Sequence, residues 1–91
     1  MVSAMDVKTQ QFRFSGAALK RYRHAAGMTQ TDVGYQLHLL RGTRGIVTRQ
    51  QIDQWESGGS PTSRTVAHLA AVLGCEPGDF FEEVKPEGQP K

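Results

Sequence analysis

Two glutamines in the segment VTRQQIDQWESG, residues 47–58, have the spacing of side chains that share the outer face of a helix. If Ile52 points inward, an advance of about 100° per residue also turns Trp55 inward. Gln50 and Gln54 then lie almost opposite to Ile52. A glutamine amide offers a donor beside an acceptor, and this pair matches the N6 and N7 edge of adenine in the major groove of DNA. Exposed glutamines are also ordinary residues of a solvated helix, so the spacing alone leaves both interpretations open.

The first turn of the same helix carries a cation, Arg49. A cation there opposes the helix dipole, so its position indicates an anionic partner, and its guanidinium suits guanine or a phosphate. A solvated arginine is the alternative. Gln51 and Asp53 lie on the flanks of the helix, one on each side of the two glutamines.

The charge of the chain is unevenly distributed, although the net charge is only +2. Residues 8–49 hold eight basic side chains and one acid, Asp32, whereas residues 50–91 hold three basic and seven acidic ones. A basic half favours a phosphate-bearing partner such as nucleic acid. A merely solvated surface would have the same composition.

Length and composition exclude several classes of protein. The 91 residues suffice for one small domain, and the apolar stretches are far shorter than the ~20 residues of a membrane span. The first residues have no apolar block followed by a cleavage site, so we expect a cytoplasmic protein. Cys75 with His24, His38 and His68 shows no metal-ligand spacing, and no nucleophile–base pair or phosphate loop is present. We therefore expect no enzyme activity, no metal and no cofactor.

Helices must position these residues. Apolar residues recur at helical spacing in four segments, each preceded by a Ser or Thr that can cap a helix. No stretch alternates long enough to predict a strand. The chain is therefore predicted to be an all-α domain over residues 15–83, between a flexible arm (1–14) and a flexible tail (84–91). The predicted helices run from Ser15 to Gly27, from Thr29, from Thr48 to Ser57, from Thr62 or Ser63 to Gly74, and from Pro77 through Phe80 and Phe81.

Three stretches, taken in order, resemble the helix-turn-helix domain of the Cro and phage-repressor type, the XRE family. The end of that family's first helix and the start of its second are matched by RHAAGMTQ, residues 23–30. Its recognition helix is matched by VTRQQIDQWESG, and its last two helices by SPTSRTVAHLAAVLG and GDFF. The resemblance implies a five-helix, lambda-repressor-like helix-turn-helix fold that binds double-stranded DNA on the nucleoid.

The resemblance also implies roles for single residues. Bases are read by Arg49, Gln50 and Gln54. Arg23 and Glu56 are structural and form an ion pair between the first and third helices, while Ile52 and Trp55 pack in the core. Gly34 lets the two motif helices approach closely. The residues expected at the DNA backbone or at the flanks of the recognition helix are Thr29, Gln30, Thr48, Gln51, Asp53, Gly59 and Ser60, together with Arg41 and Arg44 of the segment described next, which the resemblance does not cover.

One feature departs from the family. Nine residues, HLLRGTRGI (38–46), separate Leu37 from Val47, where the family typically has a single short turn. Leu39, Leu40 and Arg41 can extend the second helix by a turn before a loop at residues 42–45. Arg41 and Arg44 can then touch phosphate or the minor groove, or simply lie in solvent.

The preferred hypothesis is a sequence-specific DNA-binding regulator, repressor-like, that binds a palindrome as a homodimer. One alternative is an antitoxin-type regulator that also binds a toxin. The other is a protein-interaction adaptor that uses an apolar surface near Phe80 and Phe81 and leaves the outward glutamines idle.

Overall fold

The computed structural model describes residues 11–42 and 47–84. In these two ranges four α-helices and a two-stranded sheet form the domain. In chain order the elements are β1 (Gln11–Phe14), α1 (Gly16–Ala25), α2 (Gln30–Arg41), α3 (Arg49–Glu56), α4 (Ser63–Leu73), a 3-10 turn (Pro77–Phe80) and β2 (Phe81–Val84).

Each α-helix begins at a hydroxyl cap, as the sequence predicts. The caps leave the helical conformation for extended backbone and accept a hydrogen bond from an N–H three residues later, which satisfies a donor that has no intrahelical partner. At the start of α2 the cap is reciprocal: Asp32 N donates to Thr29 Oγ1 over 3.0 Å, and Thr29 N donates to Asp32 Oδ2 over 2.9 Å. The capping residues are Ser15, Thr29, Thr48 and Thr62.

The core lies where the four helices meet and contains buried apolar side chains from each of them. Helical spacing also predicts that Ala26 and Leu40 point inward, but Ala26 is exposed just after α1 and Leu40 lies half exposed in the last turn of α2. Phe80 is fully buried, so it offers no surface to an adaptor partner; Phe81 stays partly exposed. The largest fully buried side chains are Phe80, Leu19, Leu37, Ile52, Leu69 and Val33.

Gly34 sets the distance between α2 and the start of α3. A Cβ added there would collide with the backbone carbonyl oxygen of Val47, so the two helices could not approach as they do. The close approach brings the N-terminus of α3 beside the middle of α2, as the resemblance implies for Gly34.

The prediction that the chain has no strands is wrong. Gln11–Phe14, assigned to the flexible arm, pairs antiparallel with Phe81–Val84, with Arg13 opposite Glu82 and Phe14 opposite Phe81. Phe14 also packs on Phe80 with ring centroids 6.0 Å apart, and Ser15 N donates to the Phe80 carbonyl oxygen over 2.6 Å. Four-residue strands are too short to show an alternating pattern, and their partners lie at opposite ends of the chain.

The fifth helix is also not as predicted. Pro77–Phe80 forms a single 3-10 turn, and Phe81 belongs to β2. The fold is thus mostly helical with a small sheet, and the all-α, five-helix description is corrected to four α-helices among the residues that the structure describes.

The long connection after Leu37 begins as helix, which confirms the predicted extra turn: α2 continues to Arg41. Arg44, the remaining predicted arm and the residues after Val84 lie outside the described residues. Within the described ranges, none of the helices has the length and hydropathy of a membrane span.

Candidate nucleic-acid interface

The surface of α3 is divided as the residue spacing predicts. Ile52 is fully buried and Trp55 is 8% exposed, which fixes the inner face of the helix against the core. Gln50 and Gln54 are exposed and lie on the side opposite to Ile52. Their amides face away from the core, so they are free to bind an external ligand without unfolding the helix.

The ion pair between Arg23 and Glu56 holds α3 against α1. Arg23 Nε donates to Glu56 Oε2 over 2.5 Å and Nη2 donates to Oε1 over 3.2 Å, so the pair is bidentate. Arg23 Nη1 also donates to the carbonyl oxygen of Met28 over 3.0 Å, in the turn before α2. The two side chains are only 9% and 4% exposed. One guanidinium thereby links α1, the turn and α3, which gives it a positional role.

Gln30, at the start of α2, lies inside a network that the sequence does not reveal. Its Nε2 donates to Asp53 Oδ1 over 3.2 Å and to Glu56 Oε1 over 3.1 Å, and its Oε1 lies 3.5 Å from Arg49 Nη1. Both amide hydrogens are thus used within the protein. The resemblance assigns the Gln30 side chain to phosphate; in the structure its amide lies between Asp53 and Glu56, next to Arg49.

Backbone donors remain at the start of α2. Thr29 N and Asp32 N are used in the reciprocal cap, while the N–H groups of Gln30 and Thr31 have no acceptor within the helix. These two N–H groups and the helix dipole suit an anion beside α3.

At the start of α3, Thr48 and Gln51 are exposed, and Thr48 Oγ1 accepts from Gln51 N over 3.2 Å. Thr48 is therefore the helix cap, and its hydroxyl can still donate its own hydrogen. The side chain of Gln51 lies on the flank of α3 that faces the start of α4.

In the turn after α3, the backbone N–H groups of two glycines are used within the protein. Gly59 N donates to the Gln54 carbonyl oxygen over 2.9 Å, and Gly58 N lies 3.4 Å from the Trp55 carbonyl oxygen. These N–H groups close the C-terminus of α3 and do not point free toward a phosphate. Ser60 is exposed.

Arg41 is not a loop residue. It is the last residue of α2, and its Nη2 donates to Thr65 Oγ1 of α4 over 2.5 Å. The extra helical turn therefore directs the guanidinium toward α4, whereas the sequence left phosphate, the minor groove and solvent open as its surroundings. Thr65 carries no signal in the sequence that would have linked it to Arg41.

The fold and this outward helix define a class of protein. Residues 16–83 match a family model described as a helix-turn-helix domain, and the match covers most of the chain. The chain belongs to this helix-turn-helix family, consistent with the Cro and phage-repressor type that its motifs resemble. Domains of this family bind DNA and are not enzymes. No curated protein and no solved structure matches the chain closely enough to be compared with it.

Proposed function

We propose that this chain is a sequence-specific DNA-binding regulator whose α3 lies in the major groove. The observation that carries the proposal is the pair of exposed amides, Gln50 and Gln54, on a helix whose opposite face is anchored by Ile52 and Trp55. Rigid support matters because a bidentate amide–adenine contact requires a fixed helix position.

Arg49 is the third base-reading side chain of the proposal. It is exposed in the first turn of α3, and its contact with the Gln30 amide directs it along the outer surface. The free N–H groups at the start of α2, together with Thr48, contact the DNA backbone and set the register.

The regulator acts as a homodimer on a palindromic operator. An eight-residue helix such as α3 is only about 12 Å long and therefore reads few base pairs. Two copies related by a two-fold axis double the number of base contacts and match a palindrome. A protein bound at an operator excludes other proteins from it, so the regulation is repressor-like.

The test is selection of duplexes from a randomised pool, followed by footprinting of the selected site. We expect a defined sequence, and binding that weakens steeply with salt, with a slope near −0.9 per phosphate contact. A pool without enrichment, or affinity that is independent of salt, would refute DNA recognition by this surface.

A further inference from the structure

A cleft with an unmatched positive charge lies on the flank of α3 that faces α4, opposite to the flank that Gln30 holds. Its volume is about 550 Å³. Val47 and Trp55 supply apolar walls, and the polar groups that line it come from Arg41, Gln51, Ser60, Thr62 and Thr65. None of the residues that line it is acidic.

The guanidinium of Arg41 is incompletely paired in this cleft. Its one side-chain hydrogen bond in the structure goes to Thr65 Oγ1, and its Nε is buried without an acceptor among the described residues. Arg41 forms no ion pair in the described ranges, where the ion pairs are Arg13–Glu82 and Arg23–Glu56. A partly buried cation without an anion is unfavourable, so the cleft lacks a negative partner that a ligand can supply.

The neighbouring groups are donors that suit an oxyanion. The Thr62 hydroxyl donates to Thr65 Oγ1 over 3.0 Å, and Thr65 Oγ1 also accepts from the guanidinium, so the Thr65 hydroxyl hydrogen remains as a donor. The first turn of α4 contains no acid and carries the exposed Arg64. The N–H groups of Ser63 and Arg64 have no acceptor within the helix.

We propose that this cleft binds one phosphate group, held by Arg41, the Thr65 hydroxyl and the side chain of Gln51. Arg41 comes from the extra turn of α2, so the site depends on the long connection that distinguishes this chain from its family. Two sources share this chemistry. The first source is a DNA phosphate beside the groove that α3 enters, and this assignment rests on the proposed function. The second source is free phosphate, and this assignment does not depend on the proposed function.

The first experiment titrates the isotope-labelled full chain with inorganic phosphate at constant ionic strength, with chloride as the reference. We expect saturable NMR shifts at the backbone amides of Thr62 and Thr65, which line the cleft, and at the Arg41 Nε–H. Arg41→Gln should abolish them, whereas Arg21→Gln, which removes the same charge from an exposed site on α1, should leave them unchanged. Thermal unfolding monitors the fold, and Thr65→Val, which keeps the charge but removes the hydroxyl, is the second variant.

The second experiment measures duplex affinity against salt. If a DNA phosphate occupies the cleft, Arg41→Gln should reduce the magnitude of the salt slope by about 0.9, which corresponds to one phosphate contact, while Arg21→Gln keeps the parental slope. A reduced slope without shifts from inorganic phosphate assigns the site to DNA alone, and shifts without a change of slope assign it to free phosphate.

The proposal is overturned if neither measurement responds to Arg41→Gln, or if phosphate shifts the same amides equally in that folded variant. The two proposals fail separately. If the chain binds no duplex but shows Arg41-dependent phosphate shifts, the proposed function is refuted and the phosphate site stands. If the chain binds a duplex selectively and Arg41→Gln has no effect in either experiment, the phosphate site is refuted and the proposed function stands.

Discussion

At the scale of single residues, α3 separates side chains that hold the helix from side chains that face outward. Ile52, Trp55 and Glu56 attach it to the core and to α1. The side chains of Gln50 and Gln54 do not attach α3 to the core, since they are exposed on the face opposite to Ile52. Substitutions on the two faces should therefore affect different properties of the protein.

Gln50→Ala and Gln54→Ala should each weaken binding to the selected duplex by ~1–3 kcal/mol and relax the preference at one base pair, with little change in Tm. Ile52→Ala should instead destabilise the fold by ~2–5 kcal/mol because it leaves a cavity. Binding to matched and mismatched duplexes, measured beside thermal unfolding, separates the two effects.

The control is Gln36→Ala, which truncates an exposed glutamine of α2 outside the proposed interface and should change neither property. Parental affinity in both α3 glutamine variants would contradict base reading by this helix.

Gln30 gives a second prediction at this scale, because its amide lies between Asp53 and Glu56. Gln30→Ala should cost about 1 kcal/mol of stability through the lost hydrogen bonds. Gln30→Glu should lower the stability further, since a third carboxylate would repel the other two. Acidification neutralises carboxylates, so it should reduce the difference in stability between the two variants. Urea unfolding at neutral and acidic pH measures this difference; equal stability of the two variants at pH 7 would argue against the network.

At the scale of elements, the position of α3 depends on how closely α2 and α1 approach it. Gly34 faces the Val47 carbonyl oxygen before α3, and Gly16 faces the carbonyl oxygens of Trp55 and Glu56 at its end. Neither contact leaves room for a side chain, so both ends of α3 are placed by backbone contacts as well as by the core.

Gly34→Ala should destabilise the protein by ~1–3 kcal/mol, because the added methyl group meets backbone that cannot move aside without separating α2 from α3. The intrinsic gain of Ala in a helix opposes this loss and is smaller than the collision cost. The matched control is Gly78→Ala, where a Cβ meets no atom within 4 Å. A Tm for Gly34→Ala at or above that of the parent would contradict the close approach.

The cap of α2 makes stability depend on pH. Two hydrogen bonds from Thr29 hold the pKa of Asp32 below its ordinary value of 3.8. The bond from the Thr29 backbone N–H has the larger effect, and the bond from the Thr29 side chain adds to it. A lowered pKa in the folded state means that the carboxylate stabilises the fold above the ordinary pKa and loses this effect as the pH falls through the lowered one.

The advantage of the parent over Asp32→Asn in urea unfolding should therefore be constant near neutral pH and disappear at strongly acidic pH. Asn keeps the size and an acceptor, so the comparison isolates the charge. An advantage that grows on acidification would have the wrong sign for this cap.

At the scale of the whole molecule, the sheet joins the two ends of the domain. Phe14 packs edge-on against Phe81 with centroids 6.1 Å apart, while Tyr22 of α1 packs on Phe80 at 5.8 Å. The 3-10 turn is thus enclosed between β1 and α1, away from the outer face of α3. The outer face of α3 therefore stays open for the proposed contact with DNA, and a palindromic operator would require two copies of the domain.

A homodimer should protect two half-sites about one helical turn apart, roughly 34 Å from centre to centre. Footprinting combined with sedimentation of the complex checks both the spacing and the number of protein copies. A single asymmetric half-site bound by one copy would refute the dimer and leave base reading by α3 intact.

Local chemistry made most of the helices predictable from the sequence. A hydroxyl cap, a 3.6-residue apolar period and a following turn act within a dozen residues, so the starts of α1 to α4 and the buried and exposed faces of α3 follow from the order of residues alone. The three motif stretches likewise sufficed to identify the helix-turn-helix family. The exposed amides of Gln50 and Gln54 belong to this predictable part.

Only the tertiary structure decided what depends on residues distant in the chain. The pairing of β1 with β2, the Gln30 amide between two carboxylates and the Arg41 bond to Thr65 join positions that no local pattern relates. The reason is physical: which group a long polar side chain binds is set by where the helices cross, and the crossings are set by core packing and by Gly34. For that reason the sequence alone did not determine which group Arg41 contacts. The fold places its guanidinium in a cleft, next to Thr65.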